Sequence, residues 1–213
     1  SGIGGKGGNE WAGAPTVLTN GGIGGKVYAY SSANNKIFMG GAGGAGHAND
    51  NGGTSGGNGG GIAIINTNTI KANAYKITAN GAQGPDCLNL GTCADGVGGG
   101  GAGGTVLINS ITAVTNFPVI TNGGKGADNN VPGPNAHGPG GGGGGGTLLV
   151  NSPSLLANIT YSSAGGAAGR ALNHGNTNWG AVAGTNGTSF SSFIIPNSTV
   201  PFTPNIDSVR IKD

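Results

Sequence analysis

Seven residues carry carboxylates: Glu10, Asp50, Asp86, Asp95, Asp128, Asp207 and Asp213. Cleaving a glycosidic bond takes two such groups, or one with a second base, fixed on rigid elements. None of the seven falls within an expected strand of the repeat core. Asp50, Asp86, Asp95 and Asp128 fall in polar loops between glycine runs. The glycine runs offer no nucleotide site either. "GGAGGAG" fits a loose G-x-G-x-x-G only because nearly any glycine-rich stretch does, and no helix pattern or G-K-[ST] follows. The expectation is a protein without catalysis.

The same loops hold all three histidines, and they read "HANDNGGTS" (47–55), "PDCLNLGTCAD" (85–95), "ADNNVPGPNAHGP" (127–139) and "RALNHGNTNWGAVAGTNG" (170–187). If they gather on one edge, His47, Asp50, Asp95, Asp128, His137, Arg170, His174 and Trp179 form a candidate binding surface. Amides and carboxylates there would bond sugar hydroxyls, and the Trp179 indole would stack on a sugar ring. The alternative is plain turn chemistry from Asn, Asp and Gly, with Trp179 packed beneath a loop. Asp50, Asp95 and Asp128, with neighbouring asparagines, supply the oxygen ligands that calcium takes. No EF-hand or G-G-x-G-x-D repeat accompanies them, so the expectation is no cofactor, with calcium the one ion that these groups suit. His47 and His137 read as solvated loop histidines rather than as a metal pair.

Cys87 and Cys93 are separated by five residues, a spacing that suits a small disulfide-closed loop. A zinc site would need two further ligands and a C-x₂₋₄-C spacing, and the chain has no other cysteine. A disulfide points to an oxidising, extracellular or cell-surface setting.

Charge excludes two classes of partner. Only 8% of the residues are charged and the net charge is +2, so there is no basic patch for nucleic acid or anionic lipid. No stretch approaches eighteen apolar residues, so no membrane insertion is expected. The first residues, "SGIGGKGG", lack the charged and apolar regions of a signal peptide.

The elements that would position these loops are strands and glycine arms. Glycine makes up 51 of 213 residues, about three times the usual share of roughly 7%. Four segments align where a glycine run meets an apolar burst: "GGIGGKVYAY", "GGNGGGIAII", "GGAGGTVLIN" and "GGGGGTLLVN". The burst residues Ile62, Thr105 and Thr147 stand 43 and 42 apart, Lys26 lies 36 before Ile62, and a fifth unit is expected near 191–196. Each unit of about 42 residues has a second strand. The first strand carries Val27, Ile64, Leu107 or Leu149, and the second carries Ile37, Ile77, Ile120 or Ile159. Short β-branched runs bounded by Gly and Asn are strand signals, and no useful length shows helical periodicity.

A flexible linker has no reason to return at fixed register beside matched strands. Glycine lacks Cβ, so extended three-residue-per-turn helices of glycine can pack with their backbones touching, by the steric logic of collagen's axis. Ordering them is costly unless many arms stack and hydrogen-bond. The expected fold is an all-β repeat stack of paired strands with adjoining polyglycine-II-like arms. The alternative is a parallel β-solenoid.

"GGGIAIINTNTI", "GGGGAGGTVLINSIT" and "ITANGAQG" resemble the glycine-rich repeat regions of large secreted bacterial surface adhesins and scaffold proteins, over roughly residues 16–170. The arms also look like two polyglycine-helix assemblies: the tip adhesins of phage tail fibres and the extracellular glycine-rich domain of anaplastic lymphoma kinase. Apolar strands in every unit depart from the phage pattern. The resemblance implies a non-catalytic adhesive or structural module with loops at the arm ends. Two functions follow as expectations, a surface adhesin module or self-assembling fibre subunit, and a receptor-binding tip whose loops bind carbohydrate or protein.

Residues 1–196 read as the glycine-rich domain. In 197–213 glycine vanishes and "IDSVRIKD" places Ile206, Val209 and Ile211 among polar residues. That segment reads as a cap, the entrance to another domain, or a strand donated to a neighbouring subunit, and self-association is expected.

Overall fold

The computed structural model describes residues 2–9, 21–28, 36–49, 52–88, 93–132 and 137–193. Among them are β1 (Ile62–Ile70), β2 (Ile77–Thr78), β3 (Thr105–Ala113), β4 (Phe117–Ile120), β5 (Thr147–Val150), α1 (Pro153–Leu156), β6 (Ile159–Ser162) and β7 (Thr188–Phe190). The fold is all-β with almost no helix. Two parallel sheets run in the orders β1-β3-β5-β7 and β2-β4-β6. In the first, Ile62 pairs with Thr105, Thr105 with Thr147 and Thr147 with Thr188, partners 43, 42 and 41 residues apart. In the second, Ile77 pairs with Val119 and Val119 with Tyr161.

The main core lies between the sheets. Alternate residues Val106, Ile108, Leu148 and Val150 meet Phe117, Val119 and Ile159 from the other sheet, as the two-residue period of a strand requires. The other face of β3 and β5 is also covered: Leu107 and Leu149 pack with Phe193, against partly buried Ile37 and Phe190. Burial on both faces is the usual condition of parallel strands and explains why the bursts are continuous apolar runs. Pro118 sits in the middle strand of the second sheet, where proline is normally excluded. The amides of Phe117 and Thr121, alternate positions along the strand, donate toward the β6 side, so position 118 faces β2. The β2–β4 ladder begins only at Val119, so no ladder bond is lost. The short helix α1 starts at Ser152, whose hydroxyl accepts from the Leu155 amide at 3.2 Å, with proline in its first turn.

The glycine segments continue the strands. Segments 52–61, 94–104, 137–146 and 181–187 lead into β1, β3, β5 and β7, and are joined in the same order: Gly57 N to Gly99 O, Gly100 N to Gly141 O, Gly142 N to Val182 O. Segments 79–88, 121–132 and 163–171 leave β2, β4 and β6 and are joined through Gly81 N to Asn122 O and Gly123 N to Ala164 O. A third row consists of 36–49, 2–9 and 21–28, joined by Gly41 N to Gly2 O and Lys6 N to Ile23 O.

Bonds between rows follow a three-residue cycle. In segment 94–104, Val97, Gly100 and Gly103 donate to 137–146. Gly96, Gly99 and Ala102 donate to 36–49, and Gly101 and Gly104 to 79–88. The same segment accepts bonds from 2–9, 52–61 and 121–132, so six neighbouring segments surround it. The amide of Gly98 goes instead to the Thr54 hydroxyl at 2.8 Å. On the outside, an Asn or Asp side chain catches the amide that the cycle turns outward. Asn80 Oδ1 accepts from Asn122 N and Asn122 Oδ1 from Ala164 N, both at 2.9 Å.

Three details differ from the sequence reading. Val27 does not join the sheet of Ile64, Leu107 and Leu149. It bridges antiparallel to Gly2, because its arm pairs with 2–9 in the third row. Ile37 likewise lies outside the strand of Ile77, Ile120 and Ile159 and packs on the Leu107–Leu149 face. The last strand begins at Thr188 rather than near 191, since its loop closes in fewer residues. Residues 197–213 lie outside the described residues.

Candidate functional site at the loop end

Each arm that leaves the strands returns through a connection at the opposite end, so the loops gather there. Cys87 bridges Asn129, Asn129 bridges Ala171, and Ala171 pairs antiparallel with Thr177. Gly96 N donates to His47 O, Gly138 N to Asn9 O and Gly21 N to Trp179 O. The predicted gathering of loops is therefore a feature of the fold. A small core of Cys87, Cys93, Val97, Ala127 and Val131 lies beneath them.

The predicted site residues divide by environment. Asp95 is 2% exposed, and its Oδ2 accepts from Asn49 N and Gly52 N at 3.2 Å each. That carboxylate ties the Asn49 and Gly52 backbones together rather than facing solvent. Asp128 also serves the backbone: Oδ1 accepts from Arg170 N at 2.9 Å and Oδ2 pairs with Lys125. Its own amide donates to Asp86 Oδ1 at 2.7 Å, which in turn holds the Gln83 amide. His47 is exposed and ties its backbone into the third row through Gly8. Arg170 is exposed. Asp50 lies outside the described residues.

The connection 171–181 is described throughout. Asn176 (φ 54°) and Trp179 (φ 44°) occupy the left-handed region beside Gly175 and Gly180, where a bulky residue is uncommon and strained. Trp179 is partly exposed. Its Nε1 donates to His174 O at 3.1 Å, and the His174 ring meets the indole edge-on at 5.7 Å between centroids. Nε2 of His174 and Nδ1 of His137 are enclosed without a hydrogen-bond partner. Among the described residues no group of three His, Cys, Asp or Glu could hold a metal ion.

Cys87 and Cys93 form the predicted disulfide, with their Cα atoms 5.8 Å apart. Sequence reasoning missed the rung Asp86–Asp128–Arg170. Its signal was available, because these residues stand 42 apart, as do Asn80 and Asn122. Among the described residues no helix is long and apolar enough to cross a membrane. Comparison with protein families, with curated proteins and with solved structures finds no match.

Proposed function

We propose that this chain is a non-catalytic extracellular structural and adhesive module, the body of a surface adhesin or the subunit of a self-assembling fibre. We read its glycine segments as a polyglycine-II-like lattice and its strands as stacked units of about 42 residues. One observation carries this reading: segment 94–104 exchanges backbone bonds with six neighbours in a three-residue cycle. A left-handed three-residue helix has no internal hydrogen bonds, so only such neighbours can satisfy its amides. A β-solenoid has no comparable need for three rows, and the lattice is therefore preferred. The result is a stiff body in which the costly ordering of glycine is offset by mutual bonding. The disulfide supports an oxidising, extracellular setting. Asp95 and Asp128 direct their oxygens to backbone amides and Lys125, which supports a role in holding loops rather than in acid–base chemistry.

Negative-stain electron microscopy of the purified chain, with and without residues 197–213, tests this reading. Filaments are expected from the full chain. Compact single particles in both samples would remove the fibre and leave the adhesin module.

A second reading, a receptor-binding tip, draws on the strained presentation of Trp179. It predicts that Trp179→Ala abolishes binding to immobilised glycans or protein receptor without changing the melting temperature. Unchanged binding would remove Trp179 from the site.

A further inference from the structure

Asn122 and Gly123 together grip one residue of the neighbouring arm. Asn122 Oδ1 accepts from Ala164 N at 2.9 Å, and Gly123 N donates to Ala164 O at 2.9 Å. Asn80 and Gly81 grip Asn122 in the same way, Oδ1 accepting from Asn122 N and Gly81 N donating to Asn122 O, both at 2.9 Å. Asn186 and Gly187 bracket Ala164: Gly165 N donates to Asn186 Oδ1 at 3.0 Å, and Gly187 N to Ser163 O at 2.7 Å.

An asparagine followed by glycine has chemistry of its own. The glycine amide nitrogen, with no Cβ beside it, is unhindered and can attack the asparagine Cγ. The new C–N bond closes a succinimide, the Cγ–Nδ2 bond breaks, and ammonia leaves with the amide proton. Water then opens the ring to aspartate or, at the other carbonyl, to isoaspartate, whose main chain is one carbon longer. Asparagine is accordingly counted among the thermolabile residues. Attack needs a glycine amide free to lose its proton and a Cγ free to swing onto it. In these three steps the amide proton is already given to a carbonyl, and Cγ is anchored through Oδ1.

The clamp recurs six residues further along the same arms with aspartate in place of asparagine. Asp86 Oδ1 accepts from Asp128 N at 2.7 Å while Cys87 N donates to Asp128 O at 2.9 Å. Asp128 Oδ1 accepts from Arg170 N at 2.9 Å while Asn129 N donates to Arg170 O at 2.8 Å. An acceptor oxygen is therefore all that the clamp needs, and an aspartate formed at 80 or 122 would keep it. An isoaspartate would not, because its extra backbone carbon carries the glycine amide away from the carbonyl.

We infer that Asn80, Asn122 and Asn186 are latent self-modification sites. The clamps hold them silent in the folded chain, and an arm that opens is marked by isoaspartate and cannot close again. Asn122 is the best protected, because its Oδ1 also accepts from Ser162 Oγ at 2.8 Å. The inference goes beyond the structural and adhesive reading and needs neither fibre nor tip. Asn58–Gly59 is bonded differently, with Asn58 O accepting from Ala82 N at 2.8 Å, and stands outside it. So do Asn20–Gly21 and Asn51–Gly52, whose asparagines lie outside the described residues.

Peptide mapping by mass spectrometry, after the full chain is aged at mildly alkaline pH with and without urea, tests this. In urea the three steps should convert together, at the rate of matching synthetic peptides. In the folded chain Asn80 and Asn186 should convert about a hundredfold more slowly, through local opening, and Asn122 more slowly still. Conversion at the unfolded rate, in a chain that circular dichroism shows to be folded, would overturn the inference. Equal folded rates at all three would trace the reaction to whole-chain unfolding and overturn the clamps as its control. Ser162→Ala should bring Asn122 up to the rate of Asn80 and leave Asn186 unchanged; no change at Asn122 would overturn its rank. Chains aged in urea and then diluted should refold, relative to freshly unfolded chain, only where 80, 122 and 186 are free of isoaspartate. Asn122→Asp should refold fully. Isoaspartate at these positions in the protease-resistant, refolded fraction would overturn the irreversible mark.

Discussion

Gly143 and Gly101 lie so close that a Cβ on Gly143 would stand 2.0 Å from the Gly101 carbonyl oxygen. Nothing can give way, because the obstacle is the backbone of another segment. Gly143→Ala should therefore cost about 3 kcal/mol, the upper end for overpacking a filled interior, measured by urea denaturation. Gly61 is the control, since a Cβ there meets nothing within 4 Å. Gly61→Ala should be neutral or stabilise by about 0.5 kcal/mol through the unfolded chain. Equal effects at the two sites would contradict the packing.

Asp95 accepts the amides of Asn49 and Gly52 with one carboxylate oxygen. Asp95→Ala leaves those two amides without their acceptor and should cost about 1–3 kcal/mol in thermal unfolding. Asp95→Asn, which keeps an acceptor oxygen, should cost less. An unchanged melting temperature in the alanine variant would show that the carboxylate serves some purpose other than stability.

Reducing the Cys87–Cys93 bond reopens a short loop, worth about 2 kcal/mol on the chain-entropy account. The loss should begin locally. The Asn130 amide donates to Cys87 O at 2.8 Å, so its hydrogen exchange should accelerate on reduction while that of Gly143 does not.

Tyr161 gives the fold an alkaline limit. Its hydroxyl lies 2.8 Å from Thr121 Oγ1 and donates toward the carbonyls of Gly146 and Thr188. Burial raises its pKa above the ordinary tyrosine value of 10.0, outweighing hydrogen bonds that lower it. The folded state thus retains the proton longer than the unfolded state. This contribution is complete below pH 10 and is lost as pH rises from there through the raised folded value. Tyr161→Phe should flatten that alkaline slope in denaturation midpoints measured from pH 8 to 11. A slope that persists in the variant would locate the alkaline limit elsewhere.

The strand positions and their spacing were largely legible in the sequence, for a simple reason. Ile62, Thr105 and Thr147 mark a register that survives as long as each excursion consumes nearly the same number of residues, and they pair as that register requires. Thr188 escaped because its excursion is shorter, and Val27 because its arm turns antiparallel onto Gly2. Neither event leaves a compositional trace in a chain so rich in Gly and Asn. The gathering of the loops was legible for the same reason as the strands. The duties of their side chains were not: Asp95 and Asp128 bond amides 43 and 42 residues away, and only the folded neighbour reveals which amide that is. The left-handed backbone at Trp179 likewise depends on how the 171–181 connection closes.

Amide hydrogen exchange at the seven consecutive glycines 140–146 tests the central claim most directly. In water an unbonded glycine amide exchanges rapidly, whereas one that opens only with the whole fold exchanges at the global unfolding free energy. The lattice predicts that the amides of Gly141, Gly143 and Gly145, bonded to Lys6, Gly124 and Thr185, are protected as strongly as the β3 amides of Val106 and Ile108. Exchange at the rate of an unstructured peptide across 140–146, with β3 still protected, would make the run a linker and contradict the account.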